Sequence, residues 1–400
     1  MKTCSVKTCY KTAIKECVFL LFLLCVAEHS IAGSPKSFAY VLQPEQLASS
    51  REKVIKKLSE CGREWIVLDA FFDSNSDKWQ KEEIEKIRTG GVNRKVLAYL
   101  SIGEAENYRS YWQKEWDKDN NGIPDSMAPA WLCAENPDWE GNYKVKYWHS
   151  EWQDIVIKMV DDILAVGFDG VYLDIVDAFE FFEYDENSGD WIDYRINNET
   201  GKTYRDDMIQ WIKKIANYAR SANPDFIVIP QNGAQLLEDE NYCKLIDAIG
   251  IEDLFTEGNK PQDRFHTVYV NSFLEYLNNY NKPVLLIEYG TKAKAVKLSI
   301  NGAAKRGYVL LITDRELKTL GYCPLATPAQ KRRNKFPVYL LLSICFGTAG
   351  LLITFIEVFA NAICLFFYQF KDKLSINFKG EDAFDKIYTG RESYNAGNCG

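Results

Sequence analysis

The stretch GFDGVYLDIVDAFE, Gly167–Glu180, decides the fold. Its apolar run, Val171-Tyr172-Leu173, passes straight into Asp174, and Asp177 follows three residues later. A carboxylate at the end of a buried strand loses hydration unless it reaches a solvent-facing rim or finds partners. In a (β/α)8 barrel that rim is the C-terminal mouth, where reacting groups gather. An aspartate that merely caps the next segment would leave the same trace. What separates the two readings is whether the arrangement recurs.

It does recur. Apolar, β-rich runs occur at FAYVLQ (38–43), WIVLDA (65–70), KVLAYLS (95–101), GVYLDI (170–175), FIVIPQ (226–231), AIGIED (248–253), VLLIEY (284–289) and YVLLIT (308–313). Helical patterns lie between most of them. Residues 44–60 open with Pro44 and space Leu47, Val54 and Leu58 along one face, and residues 205–222 do the same with Ile209, Ile212 and Ile215. Near-continuous apolar strands alternating with helices imply a covered parallel sheet. Eight such units predict an α/β fold of the (β/α)8 TIM-barrel type over residues 36–320, with a long Trp-rich insertion after the third strand. A doubly wound open sheet is the rival, but no GxGxxG follows the first strand.

Laid side by side, the strand ends carry Asp69, Tyr99 and Ser101, Asp174, Gln231 and Asn232, Glu252 and Asp253, Glu288 and Tyr289, and Asp314. Glu104 and Glu106 stand just past the third strand. A barrel brings all of these to one mouth. Other catalytic toolkits are missing: three histidines, no HExxH, no GxSxG elbow and no P-loop lysine motif. Paired carboxylates in an acidic, aromatic mouth fit glycosidic bond hydrolysis, one protonating the leaving oxygen and the other attacking or activating water. The net charge of -8 argues against a nucleic-acid partner, and no cofactor is expected.

Six of the ten tryptophans, Trp112, Trp116, Trp131, Trp139, Trp148 and Trp152, fall in the insertion. They would serve equally as a platform for flat sugar faces or as the small core a long insertion needs. The insertion also holds DKDNNGIPD, in which Asp117, Asp119, Asn121 and Asp125 follow the opening spacing of a calcium loop. Ala128 stands where the bidentate glutamate belongs, so a plain polar turn competes with a weak calcium site.

Lys7, Lys11 and Lys15 precede the apolar run Cys17–Ala27, and Ser30 and Ala32 suit cleavage before Gly33. Residues 1–32 therefore read as a signal peptide, with an uncleaved signal anchor as the alternative, and the barrel is expected outside the cell. Cys61, Cys133, Cys243 and Cys323 fall in the barrel, permitting one or two disulfides without demanding any. Residues 336–356 carry no charge and continue apolar to 370, long enough to span a bilayer, before a polar tail over 371–400. Lys331, Arg332, Arg333 and Lys335 would hold the near side cytoplasmic, against the signal sequence. A membrane anchor, a membrane hairpin, or a C-terminal piece joined by an imperfect gene model each accommodates this conflict.

The motifs VLAYLSIGEAENYRSYW, GFDGVYLDIVD, VIPQNG and GIEDLF, with the strand order, resemble glycoside hydrolase family 114, the endo-α-1,4-polygalactosaminidases, over roughly residues 36–320. The resemblance implies hydrolysis of galactosamine-rich polysaccharide and carries the family's acidic pair onto Asp174 and Glu252. Asp174 is then expected as nucleophile if the mechanism is retaining, and Glu252 as general acid/base; Asp177, Glu104 and Asp253 are rivals for these roles. Asp69, Tyr99, Glu104, Asp177, Asn232, Glu288 and Tyr289 are expected to line the substrate site. A non-catalytic carbohydrate-binding barrel remains the alternative, because sequence does not give the separation of the two carboxylates.

Overall fold

The computed structural model describes residues 34–73 and 77–324. Eight parallel strands follow one another: β1 Phe38–Val41, β2 Trp65–Asp69, β3 Lys95–Ser101, β4 Gly170–Asp174, β5 Ile227–Pro230, β6 Ile249–Glu252, β7 Val284–Glu288 and β8 Val309–Ile312. Strands β1 to β5 pair in chain order, as do β6 to β8. A parallel bridge between Gln231 and Gly250 joins the two runs. The Leu42 N–H donates to the Leu317 carbonyl at 2.9 Å, which ties the exit of β1 to the segment after β8.

Alternation along each strand sorts the buried side chains into two separate cores. Phe38, Tyr40, Val67, Leu97, Tyr172, Ile229, Leu285 and Leu311 pack inside the ring. Their chain neighbours, such as Ala39, Leu68, Ala98, Val171, Val228 and Leu286, pack outward against the helices. Successive strand residues point to opposite faces, so two disjoint clusters from one set of strands are what a closed barrel requires. Gly250 makes room for the interior: a side chain there would begin 1.8 Å from the Tyr172 hydroxyl.

The helices are α1 Arg51–Ser59, α2 Lys81–Thr89, α3 Ser150–Val166, α4 Ala178–Glu183, α5 Tyr204–Ala222, α6 Glu240–Leu245, α7 Arg264–Leu274 and α8 Ala293–Arg306. Helix α5 starts where sequence predicts, one residue early, with Thr203 and Asp206 capping each other's backbone N–H groups. The first helix differs from expectation. Pro44–Leu47 forms a separate 3-10 turn, and Ser50, in extended conformation, starts α1 by accepting from the Lys53 N–H.

The insertion after β3 folds on itself as a three-stranded antiparallel sheet, Glu104–Glu106 beside Asn142–Val145 beside Leu132–Glu135. Trp131 packs against Trp116 and against Trp152 at ring separations of 5.3 and 5.1 Å. All three are buried, so the core reading holds for them, whereas Trp139 is 52% exposed. Asp117, Asp119 and Asp125 do gather, with oxygens within 4.8 Å of one another. However, both Asp117 oxygens accept backbone N–H bonds, from Asn121 and Gly122, and the Asn121 side-chain oxygen accepts from Ile123. These bonds order the loop as a polar turn.

The four barrel cysteines are unpaired, so the permitted disulfides do not form among them. The expected signal peptide (1–32), the apolar segment (336–356, continuing to 370) and the polar tail (371–400) lie outside the described residues. Among the described residues no helix is long and apolar enough to cross a membrane.

Candidate active site

The strand ends open into a cleft of about 1260 Å³, lined by residues that follow β1 to β8 and by the insertion. Asp174 and Glu252 face it from β4 and β6, each half-buried. Parity puts them there. Tyr172 and Gly250 point into the barrel, so the side chains two residues on point the same way at its mouth.

Each carboxyl rests on a tyrosine. Asp174 Oδ2 accepts from the Tyr99 hydroxyl at 2.7 Å, and Oδ1 from the Ile175 N–H at 2.8 Å. Glu252 Oε1 accepts from the Tyr289 hydroxyl. Tyr40 and Tyr172, buried below, form an aromatic floor with ring centroids 5.0 Å apart. Loss of hydration raises the Asp174 carboxyl to about 6, although the Tyr99 and Ile175 hydrogen bonds pull it down. Glu252 is raised further, to about 7, by burial and then by the Asp174 charge. Asp177 reaches about 8, through burial first and then the charges of Glu180 and Asp174. Three half-buried carboxyls thus compete for protons at one mouth.

The backbone here departs from the usual regions. Ile175, Asn232 and Asp253 have φ of 56°, 58° and 50°; Ile175 and Asp253 directly follow the strand-end carboxylates Asp174 and Glu252, and Asn232 follows Gln231 just past β5. For a β-branched isoleucine this conformation is a real cost, and such strain concentrates where a site demands a particular geometry. In Ile175 the turn aims the N–H at Asp174; in Asn232 it places Oδ1 to accept from the Glu252 N–H at 3.3 Å.

Asp69, Tyr99, Glu104, Asp174, Asp177, Asn232, Glu252 and Tyr289 all line the cleft. Glu288 does not. It is fully buried, its oxygens accept from the Phe255 and Thr256 N–H groups at 2.8 and 3.0 Å, and the Thr256 hydroxyl adds a third bond. Ile287 and Tyr289 point inward, so Glu288 between them points out and clamps a loop. Asp253 is likewise engaged, accepting from Arg315 at 2.7 Å. Asp69 reaches the cleft but is clasped by Arg109 through two 2.8 Å bonds, and Arg109 also holds Glu106. Arg109, Lys144, Arg315 and the exposed Trp191 are functional neighbours that sequence reasoning missed. Of the insertion's six tryptophans Trp139 is the one that lines the cleft, where it shares an aromatic wall with Trp191, Tyr108 and Phe181.

A closed (β/α)8 barrel with carboxyls in an open, aromatic-walled cleft is an architecture that hydrolases of glycosidic bonds use. Residues 32–328 match glycoside-hydrolase family GH114, and the chain belongs to that family. An uncharacterized protein of Methanocaldococcus jannaschii is 40% identical over 269 residues, 64% of this chain and 71% of that one. An uncharacterized protein of Deinococcus radiodurans is 36% identical over 258 residues, 64% of this chain and 75% of that one. Among solved structures, the glycoside hydrolase domain of PelA from Pseudomonas aeruginosa is similar in fold, with TM-score 0.52 and 17% identity over 72% of this chain and 98% of that one.

Proposed function

We propose that this chain is an exported endo-acting hydrolase of galactosamine-rich polysaccharide, with Glu252 as general acid/base and Asp174 as its ionised partner, the nucleophile if the mechanism is retaining. The observation that carries this reading is the Asp174–Glu252 arrangement: two half-buried carboxyls on one cleft, each held by a tyrosine and neither neutralised by a salt bridge among the described residues. Such placement costs solvation and serves no packing purpose.

The proton inventory fits the division of labour. Burial raises both carboxyls, Asp174 to about 6 and Glu252 to about 7, so the pair as a unit retains a proton toward neutral pH, and the proposed roles give that proton to Glu252. Glu252 then donates to the departing oxygen while Asp174 stays charged toward the anomeric carbon. Charge supports the polymer class. Acidic side chains line the cleft from several strands, against two basic ones among the described lining residues, Lys144 and Arg315. A field of one sign concentrates a chain of ammonium-bearing sugars. The cleft is large, about 1260 Å³, and is lined by Gln43 and Glu316 as well as by Trp139 and Trp191, which suits a polymer.

The roles are tested by leaving-group dependence. Glu252→Gln should lose far more polymer cleavage than phenolate release from an aryl α-galactosaminide, whose phenolate departs without a proton. Asp174→Asn should lose both. The opposite pattern reverses the roles, and two fully active variants remove the pair.

A further inference from the structure

The galactosamine reading leaves open where the cleft recognises the amine, and an unused acceptor answers that. Glu104 is 1% exposed and lines the cleft. Its Oε1 accepts from the Asn136 side-chain amide at 2.8 Å, which fixes the plane of the carboxylate. Its Oε2 is buried with no hydrogen-bond partner among the described residues. Leaving a buried carboxylate oxygen unpaired forfeits the full desolvation cost of that atom, so the free protein bears a penalty that a bound donor would relieve.

Glu104 stands beside the segment that carries Asp174. Gly103 comes so close to the exit of β4 that a side chain there would meet the Ile175 carbonyl at 2.2 Å and the Ala178 methyl at 2.7 Å. That contact holds the next residue against the segment carrying Asp174 and Asp177, and the Glu104 charge is among those that raise Asp174. Facing it is Lys144, the only lysine among the described lining residues. Its ammonium lies 3.4 Å from Glu104 Oε1, long for a charge-assisted bond, and 4.9 Å from the centroid of the Phe181 ring. An ammonium on a carboxylate and over an aromatic face is also what an amino sugar would present.

We infer that Glu104 is the seat for a substrate ammonium in the subsite next to Asp174, and that Lys144 is its built-in stand-in, holding the seat loosely in the free protein and leaving it when an amino sugar enters. This rests on the substrate class proposed above. Lys144 then sets a threshold. Sugars bearing a free amine displace it by matching its charge, whereas an N-acetylated unit offers a neutral amide and does not. Glu104 is a specificity-determining residue on this account and Lys144 a positioning one; neither takes part in bond breaking.

The test is calorimetric binding of a galactosamine tetramer and its fully N-acetylated counterpart to the full-length chain, with Glu104→Gln, Lys144→Met and the double variant. Glu104→Gln should weaken the amine tetramer about tenfold or more and leave the acetylated one unchanged, because one charge-assisted bond is lost. Lys144→Met, a change on the partly exposed side of the seat that leaves the fold alone, should tighten the amine tetramer severalfold. The double variant should show no such gain, since the competitor matters only while the seat is charged. Equal weakening of both tetramers by Glu104→Gln, or weaker amine binding in Lys144→Met, overturns the inference. If the unaltered chain cleaves galactosamine polymer while its KM ignores Glu104→Gln, the seat is lost and the substrate class stands. If the unaltered chain neither binds nor cleaves amine or acetylated sugars, the substrate class itself fails and takes the seat with it.

Discussion

Glu252 and Glu288 end neighbouring parallel strands, and burial raises both to about 7. Their uses differ completely. Glu252 is half-buried, faces the cleft and shares its setting with the Asp174 charge. Glu288 is fully buried and spends its oxygens on two backbone N–H groups and a threonine hydroxyl. The difference is one residue of register: Glu252 is even with the inward Gly250, and Glu288 is odd against the inward Ile287 and Tyr289. A raised carboxyl at a barrel rim is therefore no mark of chemistry until its face is known.

The largest contrast should appear when both tips are altered. Asp174→Asn and Glu252→Gln should each reduce polymer kcat by ~10³-fold with little change in melting temperature. Glu288→Ala should do the reverse. It strands three donors inside the protein and should cost about 2–4 kcal/mol of stability, read by denaturant unfolding, while kcat of the folded protein stays near that of the unaltered chain. An inactive but fully stable Glu288 variant would return that residue to the cleft.

The tryptophans permit the same comparison at lower amplitude. Trp131, buried between Trp116 and Trp152, should cost about 3–5 kcal/mol on truncation to alanine. Trp139 and Trp191, exposed on the cleft wall, should leave the melting temperature in place and raise KM for polymer roughly three- to tenfold, the worth of one stacked sugar face. Equal stability losses at Trp131 and Trp139 would erase the distinction between core and wall.

A smaller effect separates Asp177 from its neighbours through pH. Its carboxyl is raised to about 8, so the folded state holds that proton more tightly than the unfolded chain, whose group titrates near 3.8. The stability linked to this group is complete below about pH 4 and is lost as pH rises toward about 8. Asp177→Asn removes that loss. Its melting temperature should match the unaltered protein near pH 4 and exceed it increasingly up to pH 8. A gain largest in acid would contradict the assignment.

Much of this was legible in the residues. The eight strands were readable because each is a largely apolar run five or so residues long, and their ends carried the candidate carboxyls, from which the family resemblance singled out Asp174 and Glu252. Glu288 was also readable in principle: it adjoins Tyr289, and two adjacent strand residues do not both face one cleft. The Pro44–Leu47 turn was missed because proline fits the first turn of a 3-10 segment as well as that of a helix, and the serines that divide it from α1 only cap when extended. Arg109 gave no signal, since its partner Asp69 lies 40 residues away in sequence. Which insertion tryptophans are core and which are wall depends on a small sheet that alternation in so short a segment does not reveal.

The central claim is that Asp174 and Glu252 cut a galactosamine polymer from within. It is tested most directly by incubating the full-length chain with α-1,4-linked galactosamine polymer near pH 6.5 and following products by mass spectrometry from the first minutes. The account predicts a spread of short oligomers from the outset, absent with Asp174→Asn and with Glu252→Gln. Monomer as the sole early product would contradict attack within the chain, and oligomer release that survives Asp174→Asn would contradict the pair.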